Sequence, residues 1–122
     1  MAKQNLAESN WTQAYCAPPT VGFCIPVHRN WYFKSFGAGT SALWHVEVGA
    51  QSIETVGQGP IRVDLLGGTL ESKDILDGAV RTEGAEVAGY RTWTKDRHIR
   101  ISAPSSLQDA VSYMTKHLMA QE

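Results

Sequence analysis

Apolar and polar positions change their period along this chain. Between Val21 and Ser102 the apolar residues either run together or alternate, and after Pro104 they recur every three to four residues. The second pattern is helical: Leu107, Ala110, Val111, Met114 and Leu118 form a one-sided stripe that predicts a helix over Ser106–Leu118. Ser105 is placed to cap its first amides, and Gln108, three residues on, completes a capping box. The earlier runs predict strands over Val21–Val27, Trp31–Phe36, Leu43–Val48, Ile61–Leu65, Val87–Thr94 and His98–Ser102, all rich in β-branched and aromatic residues. Alternation assigns faces. Trp44, Val46 and Val48 oppose His45 and Glu47; Ile61, Val63 and Leu65 oppose Arg62 and Asp64; Ile99 and Ile101 oppose His98 and Arg100.

Turn signals divide these runs. Gly37-Ala38-Gly39-Thr40, Gly57-Gln58-Gly59-Pro60, Gly67-Gly68 and Glu83-Gly84 punctuate the chain, and Lys95-Asp96 sits at the centre of a predicted hairpin. Ser52–Val56 reads as loop or a ragged edge strand. Thr69–Asp77 suits a short helix capped by Thr69 but is too short to settle. Residues 1–20 form an N-terminal arm or short helix starting at Ser9-Asn10, with Trp11 and Tyr15 four apart; Pro18-Pro19 end it by residue 17. With no repeat or linker, residues 1–122 are expected to be one domain. Short connections favour antiparallel pairing, and helices at the ends of the chain favour α+β over α/β. The expected fold is an antiparallel sheet of five or six strands packed against a C-terminal amphipathic helix. A second short helix on the other side would make it an α/β/α sandwich.

Composition narrows the function classes. A chain of 122 residues can bury a real core. Its net charge of −1 offers no global attraction to nucleic acid or to an anionic membrane. No apolar run has the length of a membrane span. Met1–Asn10 is polar and lacks the apolar core of an export signal, so the expectation is cytoplasmic, with export only if a signal has been removed. Cys16 and Cys24 match no zinc or redox spacing. In a reducing cytosol both are expected to be free thiols, with Cys24 a small core residue between Phe23 and Ile25. A disulfide is the alternative that export would bring.

Gly22-Phe23-Cys24-Ile25-Pro26-Val27-His28-Arg29-Asn30-Trp31 resembles the opening of Mog1/PsbP-like domains, which start with a Gly-Phe-x-Ile-Pro-like strand followed closely by Trp. The order of elements over residues 21–118 is similar too, with Gly89-Tyr90, a short polar strand over Arg97–Ser102 and a closing helix. The resemblance implies an α/β/α sandwich and a non-enzymatic accessory or binding role. Many family members are exported, and the family has no shared catalytic residues to carry over. The missing export signal departs from that pattern.

Candidate chemistry is sparse. His28, His45, His98 and His117 are spread over four elements without a close ligand pair, so no metal site is expected. His117 near the end of the last helix suits its dipole. No nucleophile turn or phosphate loop occurs, and no catalytic residue or cofactor is assigned. The carboxylate pairs Asp74/Asp77 and Glu83/Glu86 lie in polar stretches and read as solvated charge.

The one suggestive cluster is Arg91, Trp93, Arg97, His98 and Arg100, with Lys95 and Tyr90 nearby. Cations interleaved with aromatics on a hairpin can hold an acidic small molecule or an acidic protein partner. If Arg91, Trp93, His98 and Arg100 face together they make an anion site; otherwise the arginines pair with Glu47, Asp64 or Glu86 across the sheet. The near-neutral charge counts against nucleic acid. Trp31, Tyr32, Trp44 and Trp93 are a heavy aromatic load for a sheet with one helix, so some of it should line a pocket or a face buried by another subunit. The expected function is a non-enzymatic binding or accessory domain acting through protein–protein contact or self-association at an exposed sheet edge or aromatic face, as in a homo-oligomer. The alternative is a small-molecule-binding protein or enzyme with an aromatic-lined pocket and an Arg/His rim.

Overall fold

The structure, a computed structural model, describes residues 10–39, 42–94 and 96–120. In chain order its elements are β1 (Gln13–Cys16), β2 (Phe23–Val27), β3 (Tyr32–Gly37), β4 (Trp44–Gly49), β5 (Ile61–Gly67), β6 (Val80–Glu83), β7 (Glu86–Trp93), β8 (Arg97–Pro104), α1 (Gln108–His117) and β9 (Met119–Ala120). Six strands pair antiparallel in the order β3-β4-β5-β8-β7-β6, and β1-β2-β9 make a second, smaller antiparallel sheet. This is the expected α+β fold with an antiparallel sheet and a C-terminal helix.

Period-two alternation gives the large sheet its inner face. The registers align Val46, Val63, Ile101 and Gly89 across four strands, and Trp44, Leu65, Ile99 and Arg91 in the neighbouring row. Ile61, Val63, Leu65, Ile99 and Ile101 are buried there with Phe23, Ile25 and Val27 of β2 and with Ala110, Val111 and Met114 of α1. Helix and small sheet therefore share the work of covering one face. Fully burying each large aliphatic or aromatic side chain contributes roughly 1.5–3 kcal/mol.

The helix crosses the sheet where the sheet has no side chain. At Gly89 on β7 an added Cβ would stand 1.8 Å from Thr115 Oγ1, so glycine lets α1 approach the backbone. Leu118 is buried as the helical stripe requires, but Leu107 is only half-buried. The expected capping box does not form. Ser105–Leu107 wind as a 3-10 turn, and α1 begins at Gln108 without a side-chain cap. Ser105 N–H donates to Ala85 O at 3.0 Å, so that corner is tied to the β6–β7 turn instead.

Tertiary pairing overrode local pattern at the N-terminus. Trp11 and Tyr15 are buried as anchors, but Gln13–Cys16 is a strand, paired in register from Gln13 opposite Val27 to Cys16 opposite Cys24. The expected helix start at Ser9 lies outside the described residues. Pairing β1 with β2 corrects the cysteine expectation as well. Cys16 and Cys24 face each other across the two strands, Cα atoms 4.1 Å apart, and form a disulfide. Nothing in their spacing announced this, because the hairpin that joins them depends on β1 being a strand.

Other segments also differ. Val80–Glu83 is a strand, joined to β7 through the expected turn at Glu83-Gly84, where Gly84 has φ 66°. Residues 52–56 form no strand. In Thr69–Asp77 only Glu71–Lys73 winds, as a 3-10 turn whose Ser72 N–H donates to Thr69 Oγ1 at 3.1 Å. Leu70 and Ile75 of this segment pack on Ala88 and Tyr90 on the outer face of the sheet. Among the described residues that short turn is all the helix the outer face carries, so the sandwich is not completed on that side. No helix among the described residues is long and apolar enough to cross a membrane.

Candidate interaction surface

The basic hairpin forms, but its register separates the expected residues. Tyr90 lies opposite Arg100, Arg91 opposite Ile99, Thr92 opposite His98, and Trp93 opposite Arg97. Directly opposed residues share a face, so Arg91, Trp93 and Arg97 lie on the side of Ile99, and His98 and Arg100 point outward. The two guanidiniums expected beside one indole are thus on opposite faces of the sheet. Lys95, expected in the turn, lies outside the described residues; Asp96 takes the left-handed conformation there, φ 57°.

Each of the five residues is engaged within the fold. Arg91 Nη1 donates to Thr115 O at 2.7 Å and Leu118 O at 3.3 Å, closing the carbonyl end of α1 where a cation is favoured. Its Nε donates to Asp77 Oδ1 at 3.3 Å. Trp93 Nε1–H donates to Val21 O at 3.1 Å, and its ring meets Phe23 edge-on. Arg97 Nε donates to Thr94 O at 3.1 Å. His98, 2% exposed, bonds through Nδ1 to Gly68 O at 2.8 Å. Arg100 pairs with Glu83 at 2.8 Å and donates to Tyr90 Oη at 3.2 Å. Its partner is therefore Glu83, not the Glu47, Asp64 or Glu86 expected from sequence; of those three, Glu86 takes Arg62. The hydrogen bond from Tyr90, then that from Arg100, hold the Glu83 carboxyl below the usual carboxylate range.

A second polar cluster lies further along the outer face. His45 stands between two carboxylates, Nδ1 at 2.5 Å from Asp64 Oδ1 and Nε2 at 2.6 Å from Glu47 Oε2. Glu47 is 1% exposed and also accepts the N–H groups of Gly57 and Gly59, each at 2.8 Å. It thereby anchors the loop between β4 and β5. The close fit needs glycine, since a Cβ on Gly59 would stand 2.6 Å from Glu47 Cβ.

Burial works to lower the His45 pKa, but the bonds to Glu47 and Asp64 outweigh it and raise it. Burial likewise works to raise that of Glu47, and the bonds from His45, Gly57 and Gly59 hold it below its usual range. With its two ring nitrogens bonded to carboxylates on β5 and β4, His45 ties the two strands together and holds Glu47 in place against the loop. Among the described residues no group of three or more His, Cys, Asp or Glu is arranged to hold a metal ion.

Two surface features remain. A cleft of about 290 Å³ is lined by apolar Leu70, Ile75 and Leu76 together with Glu71, Asp74, Asp77 and Thr92. The other is the free edge of the large sheet. β3 pairs on one side with β4, and no strand among the described residues pairs with its other side. It spans six residues, and Tyr32 and Phe33, on opposite faces, are 53% and 38% exposed. Leu43, the residue before β4, is 47% exposed. A bulge between Ser35 and Gly37 ends regular pairing.

The opposite edge, β6, spans four residues and carries Arg81 and Glu83, the usual protection of an unpaired strand. Sequence reasoning placed β3 but did not single it out as a site. The available signal was the lack of alternation in Tyr32-Phe33-Lys34-Ser35-Phe36, where aromatics occupy both faces of one strand. Among known proteins the chain matches no family model, no curated protein and no solved structure.

Proposed function

We propose that this protein is a non-enzymatic binding domain that acts through protein–protein contact at the free edge of β3. One observation carries the reading: a six-residue edge strand presents aromatic side chains on both faces and an edge that pairs with no strand among the described residues. The alternative, a small-molecule binder with an Arg/His rim, has less support, because Arg91, His98 and Arg100 are already bonded to the fold. The Cys16–Cys24 disulfide adds a setting. Such bonds persist in oxidising compartments, so the domain is proposed to act there and not in the cytoplasm.

Site-specific photo-crosslinking in source cells tests the contact. A benzophenone side chain at Tyr32 is expected to give a discrete protein adduct, and one at Arg81 on the opposite edge to give none. Matching adducts from both edges, or none from position 32, would show that β3 is not the contact strand.

A further inference from the structure

We infer that the strand accepted by β3 comes from a different protein, as an extended segment with an acidic side chain opposite Lys34 and apolar side chains two positions to either side. The inference rests on β3 being the contact edge and adds the chemistry of what pairs there. Backbone groups of a free edge are best satisfied by another extended chain, and the side chains of an added strand then meet β3 in two alternating rows.

The outward row is Tyr32, Lys34 and Phe36. The Phe36 ring lies beside His45 on that face, and Lys34 Nζ stands 5.8 Å from the Phe36 ring centre. Across that row the fitting neighbours are apolar, charged, apolar. The inner row is Phe33, whose ring meets Tyr15 edge-on, and Ser35.

The sign of the charge follows from what Lys34 lacks. It is the one charged side chain on β3 and is exposed. Its cross-strand neighbour is Glu47, but that carboxylate is taken by His45, Gly57 and Gly59. Lys34 Nζ donates to a neutral acceptor, Glu54 O, at 3.1 Å, and no carboxylate among the described residues pairs with it. A carboxylate on the incoming strand would supply the missing partner.

The same lysine disfavours a second copy of this chain. Two β3 strands paired antiparallel over Tyr32–Phe36 would set Lys34 directly against Lys34, a destabilising like-charge pair. Slipping the register to avoid this shortens an already short ladder. Lys34 thus guards the edge against self-pairing and selects an acidic partner.

The test uses the full chain, isotopically labelled, and two blocked peptides. Both carry Val two positions either side of a central residue, which is Asp in one and Lys in its twin. The Asp peptide is expected to shift backbone amide signals of β3 and leave those of β6 unmoved. The Lys twin should bind about fivefold more weakly, and Lys34→Glu should reverse the preference. If both peptides bind β3 equally, the edge reading stands and charge selection is overturned. If neither shifts β3, the edge reading itself fails. If β3 signals move with protein concentration alone and native mass spectrometry shows a dimer, the occupant is a second copy. Lys34→Gln provides the same comparison should the charge reversal disturb folding: it must level the two affinities.

Discussion

A neutral imidazole carries one N–H and can serve one carboxylate as donor, yet His45 serves two, Asp64 and Glu47. Its bridging is complete only as the imidazolium. Its folded pKa is raised above the ordinary 6.5, so its contribution to stability is fully present below that value and is lost as pH rises through the raised one. For Glu47 the folded pKa is depressed. Its contribution is present above about 4.5 and is lost as pH falls through the lowered value, with Glu83 acting in the same sense. Thermal melts across pH should therefore show greatest stability between about 4.5 and 6.5, and His45→Gln should flatten the alkaline decline. An unchanged alkaline limb in that variant would mean the bridge does not stabilise the loop. Gly89 offers a steric counterpart. A methyl group there collides with Thr115 Oγ1, so Gly89→Ala should cost roughly 1–3 kcal/mol in denaturant unfolding. The Thr115 hydroxyl is buried without a hydrogen-bond partner, so Thr115→Ala in that background should recover part of the loss.

Helix α1 is held at its core-facing stripe and at its carbonyl end. Met114 is fully buried between helix and sheet, and Met114→Ala should lower stability by roughly 2–5 kcal/mol. Arg91→Ala removes the donor from Thr115 O and Leu118 O and should cost about 1.5–3 kcal/mol, with faster amide exchange confined to the end of α1 and to β9. A loss of ligand binding with stability unchanged would instead return Arg91 to the role expected from sequence. The β1–β2 hairpin depends on its crosslink. The bridge spans a sequence separation of 8, so reduction should destabilise the protein by about 2–3 kcal/mol. Equal melting of oxidised and reduced protein would remove the disulfide from that account.

Across the whole molecule, asymmetry of cover assigns the two faces of the large sheet different work. The inner face is closed by α1 and the small sheet, while the outer face carries Arg62–Glu86, Arg100–Glu83 and the His45 bridge, with the segment around the short 3-10 turn packed on Ala88 and Tyr90. A charged face of this kind resists stacking by another sheet, and among the described residues the β3 edge is the longer of the two edge strands that combine exposed apolar side chains with an unpaired side, the other being the two-residue β9. Tyr32→Lys together with Phe33→Lys should leave the fold intact, as judged by its melting temperature, and abolish the adduct formed by a benzophenone side chain placed at Phe36 of the same strand. A global loss of structure would show that these rings support the fold.

Local pattern by itself determined much of the architecture. Alternation at Ile61–Leu65 and Ile99–Ile101, and helical spacing from Leu107 to Leu118, are consequences of one buried face, and such a face must repeat along the sequence. The turns at Gly67 and Glu83-Gly84 were legible because few residues suit those positions. Pairing between distant segments leaves no such repeat. Whether Gln13–Cys16 is helix or strand is decided by β2, and the disulfide follows from that choice. The same holds for the candidate site. The composition of the 91–100 hairpin was visible, but the register that sends Arg91 inward and Arg100 outward exists only once β7 and β8 are paired. The exposure of β3 depends on strand order, a property of the assembled sheet that no window of residues contains.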